Sequence, residues 1–145
     1  MSFKRYIIIG IWFALAINSM HAKNCTSLLQ QAQQLLEQQN YPACIAALQN
    51  TSCKSYQYHN LIMNAYMGAE EYAQLRTHAA QCIQQNTSDA KITALAYYYQ
   101  ALALHKQDLN DQAYAQIQLS LQLWQSKSSA EYAMTCNAMG NILES

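Results

Sequence analysis

Residues 56–88, YQYHNLIMNAYMGAEEYAQLRTHAAQCIQQNTS, decide the fold because they contain two apolar helical faces separated by a polar turn. Within each face the apolar residues recur at spacings of three and four, which is the period of an amphipathic helix. The segment from Gly68 to Glu71 separates the faces, so the stretch predicts one helix–turn–helix hairpin. The two faces comprise Leu61, Ile62, Ala65 and Tyr66, then Tyr72, Leu75, Ala79, Cys82 and Ile83.

The sequence on either side of this hairpin repeats it imperfectly. Polar segments close the hairpins at Asn50-Thr51-Ser52, at Asn86-Thr87-Ser88 and at residues 125–128. The whole chain has one proline and three glycines, and good helix formers dominate it, which favours an all-α fold. Besides the central hairpin, helices are predicted over about 26–39, from Asn40 onward, over 90–105, over 109–124 and from 128 to about 143.

Capping chemistry places the helix ends. Asn40 is predicted to cap the second helix, whose Pro42 suits the first turn because proline has no N–H to leave unpaired. Asp108 is predicted to cap the sixth helix. Ser128 and Glu131 have the spacing of a capping box at the start of the last helix.

The first 22 residues have the layout of a secretory signal peptide, with two basic residues before an apolar run from Tyr6 to Ile17. Cleavage is predicted after Ala22, which leaves a single domain of residues 23–145. The apolar run is shorter than the about 20 residues of a membrane span, so an uncleaved anchor is the less favoured alternative. We therefore expect an exported protein, periplasmic or secreted, with no membrane span after cleavage.

Charge and motifs exclude several classes of function. Removal of Lys4 and Arg5 from the eight basic residues leaves six against eight acidic residues, a net charge of −2. Nucleic acid is therefore not an expected partner, because no basic patch is available to neutralise phosphates. The sequence has no Gly-rich phosphate loop, no Gly-x-Ser-x-Gly motif and no paired carboxylates, so we expect a non-enzymatic protein without cofactors.

Five cysteines follow the predicted cleavage site, and an exported chain meets an oxidising compartment. Cys25 starts the first helix and Cys53 follows the end of its antiparallel partner, so this pair is the preferred disulfide. Closing that loop is expected to stabilise the fold by roughly 3–4 kcal/mol. Cys44 and Cys82 are a second candidate pair, because both map to inward-facing positions, and Cys136 would then be free. The alternative is that all five are reduced core residues.

Two further patterns have both a functional and a packing interpretation. His78 and Cys82 are four residues apart on one helix, which fits half of a metal site or a Cys–His nucleophile pair. No third ligand stands at metal spacing in the sequence, so core packing is favoured and no metal site is predicted. In Tyr97-Tyr98-Tyr99, the first is predicted to pack inside, and the other two form either a binding surface or, slightly favoured, inter-helix contacts.

The hairpins resemble the tetratricopeptide repeat family across nearly all of residues 23–145. His59 and Glu70 stand where that family prefers Trp and Gly, Met63 replaces a small residue, and the closing proline is missing. The matches in the central hairpin are Ile62, Tyr66 and Tyr72 and, more loosely, Leu75, Ala79 and Cys82. The matches in the third hairpin are Tyr97, Ala101, Ala113, Ile117 and Ser120, and those in the first are Ala32, Tyr41 and Leu48, with Cys44 at an alanine position.

This resemblance implies an all-α fold of three antiparallel helical hairpins, stacked as a solenoid, with a C-terminal capping helix. A generic helical bundle is the alternative. The resemblance further implies a concave groove lined by the first helix of each hairpin. The implied peptide-binding residues are Asn60, Asn64, Met67, Tyr98, Leu102, His105 and Asn137.

Asn64 falls where the family's chaperone-binding members have their peptide-clamping asparagine, but the lysines and arginine that complete that clamp are missing. We therefore do not expect capture of a C-terminal carboxylate. The predicted function is an exported scaffold that holds a peptide or helix of another exported or envelope protein. The alternative is a disulfide-stapled bundle that binds a small apolar ligand or inhibits an enzyme. An enzyme ranks third and would require perturbed titratable groups around His78 or His105.

Overall fold

The computed structural model describes residues 24–85, 88–124 and 128–145, and all the regular secondary structure within these residues is α-helical. This confirms the predicted all-α class. The seven helices described are α1 (24–37), α2 (Tyr41–Gln49), α3 (Tyr56–Gly68), α4 (Tyr72–Gln85), α5 (Ala90–His105), α6 (Asn110–Leu123) and α7 (Ala130–Leu143).

The bounds of α5 coincide with the predicted range, and Pro42 lies in the first turn of α2 as predicted. The predicted signal peptide, its cleavage after Ala22 and parts of two predicted hairpin ends, residues 86–87 and 125–127, lie outside the described residues. Among the helices that the structure describes, none combines the length and the apolar character needed to cross a bilayer.

The turns that follow α1, α3 and α5 share one backbone geometry. Gln39, Glu70 and Asp108 have φ values of 57°, 59° and 58°, in the left-handed region. At each turn the next residue donates its N–H to the carbonyl five residues back, at 2.9, 2.9 and 3.0 Å. This is the Schellman arrangement, whose left-handed position is usually glycine because a Cβ is strained there. The predicted Asp108 cap is therefore wrong, since this residue forms the turn.

Other helix starts also differ from the capping predictions. Asn40 precedes α2 but makes no side-chain cap hydrogen bond. Asp89, which was not predicted, caps α5 by accepting from the N–H groups of Lys91 and Ile92. The α7 cap is Ser129, which accepts from the N–H of Tyr132 at 3.1 Å, because this helix begins one residue later than the capping box predicted.

The centre of the core is α5, which contacts α3, α4, α6 and α7. Small residues such as Ala94 and Ala113 are fully buried, which allows close approach of the helices. Two buried hydrogen bonds tie the C-terminal helices together. Ser120 donates to the Ala94 carbonyl at 2.8 Å, and Trp124 Nε1 donates to Thr135 Oγ1 at 2.9 Å. The position of α7 is thus fixed by α6 as well as by α5.

The Cys25–Cys53 disulfide predicted from the sequence is present, with its Cα atoms 5.6 Å apart. It ties the start of α1 to the segment between α2 and α3. The second candidate pair is wrong, since Cys44 and Cys82 are separate buried thiols. The Cys44 thiol donates to the Ala32 carbonyl at 3.4 Å, while Cys82 faces a histidine on the neighbouring helix. Cys136 is also free.

Candidate functional site

One candidate site is a groove of about 560 Å³ between α5 and α7. Four of the predicted groove residues line it together, three from α5 and one from α7. They are Tyr98, Leu102, His105 and Asn137. The other lining residues, which sequence reasoning missed, are Lys106, Ala130, Ala133, Met134, Ala138 and Asn141. Those on α7 recur at helical spacing in the sequence, so the period of this helix was the signal that pointed to them.

The three predicted groove residues of α3 do not line this groove. Asn60 is half-buried, and its Oδ1 accepts from the Tyr99 hydroxyl at 2.9 Å, so its amide oxygen is already used within the fold. Asn64 is exposed, and Met67 packs partly buried against the core. The groove described here is therefore shorter than the continuous face that the family resemblance implies.

The groove combines apolar surface with amide groups and a cation. Leu102 is half-buried and Met134 is 37% exposed, so both offer apolar surface. Asn137 and Asn141 are exposed one helical turn apart on α7, and each amide side chain can both donate and accept. Lys106 places a positive charge among these residues. The arrangement can hold an apolar side chain while it pairs with the polar backbone of a peptide.

Of the three consecutive tyrosines only Tyr97 is placed differently from the prediction, since Tyr98 and Tyr99 make the inter-helix contacts that were slightly favoured. Tyr98 and Tyr99 are buried with their rings edge to face, at a centroid distance of 5.2 Å, whereas Tyr97 is half-buried. Burial raises the pKa of both buried hydroxyls, and for Tyr99 the neighbouring Tyr98 adds to the effect. Inter-helix packing is thus their main role, and Tyr98 offers the groove only a small exposed part.

A second candidate site is a pocket of about 300 Å³ lined by residues of α3 and α4, by the last residue of α2 and by the segment before α3. Its charged residue is Lys54, whose Nζ donates to the Tyr58 hydroxyl at 2.6 Å and lies 4.0 Å from the centre of that ring. The other lining residues are Gln49, Tyr58, His59, Ile62, Tyr66, His78, Gln81, Cys82 and Gln85.

Three potential metal ligands converge on one side of this pocket. Nδ1 of His59 lies 3.2 Å from Nε2 of His78 and 3.2 Å from Sγ of Cys82. The three ligand atoms all lie within 4.8 Å of one another. His59 is 6% exposed and Cys82 is 2% exposed, while His78 is half-buried. The side chains come from two antiparallel helices, so the cluster fastens α3 to α4.

The sequence pattern identified His78 and Cys82 on one face of α4 but missed His59 as their partner. A signal was present, because residues at similar distances from the turn of an antiparallel hairpin face each other. With the turn at Glu70, this register places His59 opposite the stretch that contains both other residues. Spacing along a single helix does not report such a contact.

The protonation states in this cluster argue against a Cys–His nucleophile. Burial raises the pKa of Cys82 to about 11, against a smaller opposing effect of Lys54. Burial, followed by the charges of His59 and Lys54, lowers the pKa of His78 to about 4. Burial and then Lys54 likewise lower the pKa of His59, opposed by Asp89. A nucleophilic pair needs a thiolate beside an imidazolium, and both directions of shift are opposite to that.

Comparison with known proteins returned no match, whether with protein-family models, with curated proteins or with solved structures.

Proposed function

We propose that the protein is an exported, non-enzymatic scaffold that holds a segment of another exported or envelope protein in the groove between α5 and α7. The observation that supports this function most directly is the groove itself. Exposed Asn137 and Asn141 lie beside the apolar surfaces of Leu102 and Met134. This mixture of amide and apolar groups on two packed helices suits a peptide. A small apolar ligand would instead favour an enclosed, mostly apolar cavity.

The helix contacts support a tetratricopeptide-like arrangement of three stacked hairpins, α1–α2, α3–α4 and α5–α6, with α7 as the capping helix. From α2 onward, each helix contacts the next, and α5 contacts both α3 and α7. Contacts between alternate helices are typical of hairpins that stack in one direction. The three identical turns after α1, α3 and α5 add to this interpretation, since each one reverses the chain within a proposed hairpin.

The proposed partner segment has one aliphatic side chain and, close to it, an acidic residue. The aliphatic side chain lies against Leu102 and Met134, and the backbone of the segment pairs with Asn137 and Asn141. The acidic residue lies near Lys106, the charged residue that lines this groove. His105 precedes Lys106 in the chain and also lines the groove, and its ring is held in place because Nδ1 lies 2.8 Å from Oδ1 of Asn110. A positive side chain at the groove favours the acidic residue by charge complementarity.

The test is selection of binding peptides from a displayed random library, followed by affinity measurement on synthetic copies. Selected sequences should share the aliphatic–acidic pair. Asn137→Ala and Met134→Ser should each weaken binding about tenfold, which corresponds to about 1.4 kcal/mol. Gln122→Ala, at an exposed position of α6 outside this groove, is the matched control and should leave affinity unchanged. Equal affinity for all four proteins would show that the groove assignment is wrong.

Asn64→Ala measures how far the site extends. If the partner segment continues along α3, as the family resemblance implies, this exposed asparagine should also contribute to affinity. If the partner is confined to the α5–α7 groove, the variant should bind as the wild type does.

A further inference from the structure

We propose that His59, His78 and Cys82 form a metal site between α3 and α4 that binds a late first-row transition-metal ion, Zn²⁺ or Cu⁺. This site is separate from the peptide groove, because the two share no lining residue. The sequence pattern supplied two of the ligands, and the packing of α3 against α4 supplies the third.

The distances between the ligand atoms fit a bound ion. A tetrahedral ion with bonds of about 2.0–2.1 Å to nitrogen and about 2.3 Å to sulfur holds its ligand atoms roughly 3.3–3.6 Å apart. Nδ1 of His59 is 3.2 Å from each of the other two ligand atoms, and no pair in the cluster exceeds 4.8 Å. Side-chain rotations that close the widest pair by up to roughly 1 Å, chiefly of the half-buried His78, therefore suffice to reach coordination geometry.

Hydrogen bonds alone cannot satisfy all three ligand atoms in this arrangement. An imidazole nitrogen carries either one proton or one lone pair in the ring plane, so Nδ1 of His59 forms one strong hydrogen bond at a time. It nevertheless has two partners at the same distance, Nε2 of His78 and Sγ of Cys82. An ion placed among the three atoms accepts a lone pair from each of them, which satisfies all three together.

The ligand types select the class of ion. Thiolate sulfur favours Zn²⁺ and Cu⁺, and imidazole binds both of these metals. Cys82 coordinates as the thiolate, so its proton passes to solvent when the ion binds. Two neutral histidines and one thiolate leave a charge of plus one with Zn²⁺ and zero with Cu⁺. The neighbouring cation Lys54 lines the same pocket and therefore favours the neutral Cu⁺ complex.

The adjoining pocket gives the ion a route to the cluster and room for a fourth ligand. All three ligands line the pocket, and His78 is the half-buried one, whereas the other two are buried. Three protein ligands with an adjacent accessible volume correspond to an open coordination position, which Zn²⁺ fills with water. Cu⁺ remains three-coordinate in the same arrangement. The two ions are thus distinguishable by coordination number as well as by affinity.

The test titrates the untagged, chelator-treated protein with its disulfide intact against a competing chromophoric chelator. One arm uses Zn²⁺, and the other uses Cu⁺ kept reduced with ascorbate. We expect one ion per chain and a raised thermal midpoint. His78→Gln and Cys82→Ser should each lower affinity by more than about 100-fold, which is the upper end of the effect of losing an outer-shell partner. Cys136→Ser and His105→Gln are matched controls and should keep the wild-type affinity.

Co²⁺ serves as a spectroscopic probe of the same site. The wild-type complex should show a thiolate-to-cobalt charge-transfer band, which Cys82→Ser removes and Cys136→Ser keeps. Failure of both Zn²⁺ and Cu⁺ to bind at one per chain would overturn the proposal, as would wild-type affinity in His78→Gln. Because this histidine is half-buried, its replacement should leave the helical circular dichroism unchanged, which keeps the result interpretable even if His59 or Cys82 variants fold poorly.

Discussion

The α5–α7 groove and the α3–α4 pocket place their polar side chains in opposite ways. In the groove, Asn137 and Asn141 are exposed and separated by one helical turn. In the pocket, His59 and Cys82 are buried and their polar atoms touch each other. Exposed, separated groups suit a ligand as long as a peptide, whereas converging buried groups suit a ligand of one atom. We therefore propose two unrelated kinds of recognition in one helical domain.

The largest effects are expected from truncating one core residue on a helix of each region. Leu75 of α4 is fully buried and Ile142 of α7 is 4% exposed. Leu75→Ala and Ile142→Ala should each lower the free energy of unfolding by about 2–5 kcal/mol, measured by urea denaturation, because each leaves a cavity in the core. Leu75→Ala should weaken metal binding and spare peptide binding, and Ile142→Ala should do the reverse.

Leu119→Ala is the control for this pair, since Leu119 is 38% exposed on α6 and its truncation should change stability by less than about 0.5 kcal/mol. If either core variant remains folded and loses both ligands, the two regions are coupled and the comparison fails.

The difference between the regions also explains what the sequence could predict. Tyr98, Leu102 and His105 were groove residues that the family resemblance implied, and their spacings of four and three place them on one side of α5. His59 was missed because its role depends on how α3 packs against α4. Asn60 was assigned to the groove, but Tyr99 uses its amide oxygen within the fold. Side-chain pairing between helices decided these cases, and the helical period does not report it.

The existence of the helices was predictable because the helical period can be read from the sequence, whereas the residues that cap them were not predictable. The predicted range of about 90–105 agrees with the observed α5. Several polar residues near each boundary were eligible caps, however, and Asp89 and Ser129 were chosen over their neighbours by local backbone geometry. The Cys25–Cys53 pair was predictable because a hairpin brings its two ends together, whereas pairing of Cys44 with Cys82 needed a tertiary contact.

Removal of the disulfide should affect the pocket and leave the groove unchanged. The bridge ends at Cys53, next to Lys54, which lines the pocket. A Cys25→Ser/Cys53→Ser double variant should lose about 2–4 kcal/mol of stability in urea denaturation, because the unfolded chain is no longer constrained. Metal affinity should fall as the segment before α3 loosens, while peptide affinity at the groove should stay within twofold. Unchanged stability would show that the bridge does not constrain the unfolded chain.

A matching change on the groove side is Trp124→Phe. Trp124 is 8% exposed, and its Nε1 donates to Thr135 Oγ1, which links the end of α6 to α7. Loss of this buried donor should cost about 1–3 kcal/mol and allow α7 to shift relative to α5. Peptide affinity should fall and metal affinity should not. Thr135→Val removes the same bond from the other partner and also the bond that Thr135 Oγ1 donates to the Glu131 carbonyl at 2.7 Å, so its cost should be at least as large. A larger loss in Trp124→Phe than in Thr135→Val would assign the change to ring packing instead.

The smallest expected effect concerns the backbone turns, in which the two regions are alike. Glu70 in the α3–α4 turn and Asp108 in the α5–α6 turn both have positive φ, a conformation that costs a non-glycine residue roughly 1–2 kcal/mol. Glycine relieves this strain but has more freedom in the unfolded chain, so Glu70→Gly and Asp108→Gly should each raise the free energy of unfolding by about 0.5–1 kcal/mol.

Glu70→Ala and Asp108→Ala remove the same charges without relieving φ, and neither should stabilise the protein. Equal gains in the two glycine variants, with both ligand affinities unchanged, would locate the difference between groove and pocket in their side chains alone. A gain in only one turn would mean that the backbone of the two hairpins also differs, and the turn that fails to gain would then be held in its conformation by contacts specific to its own region.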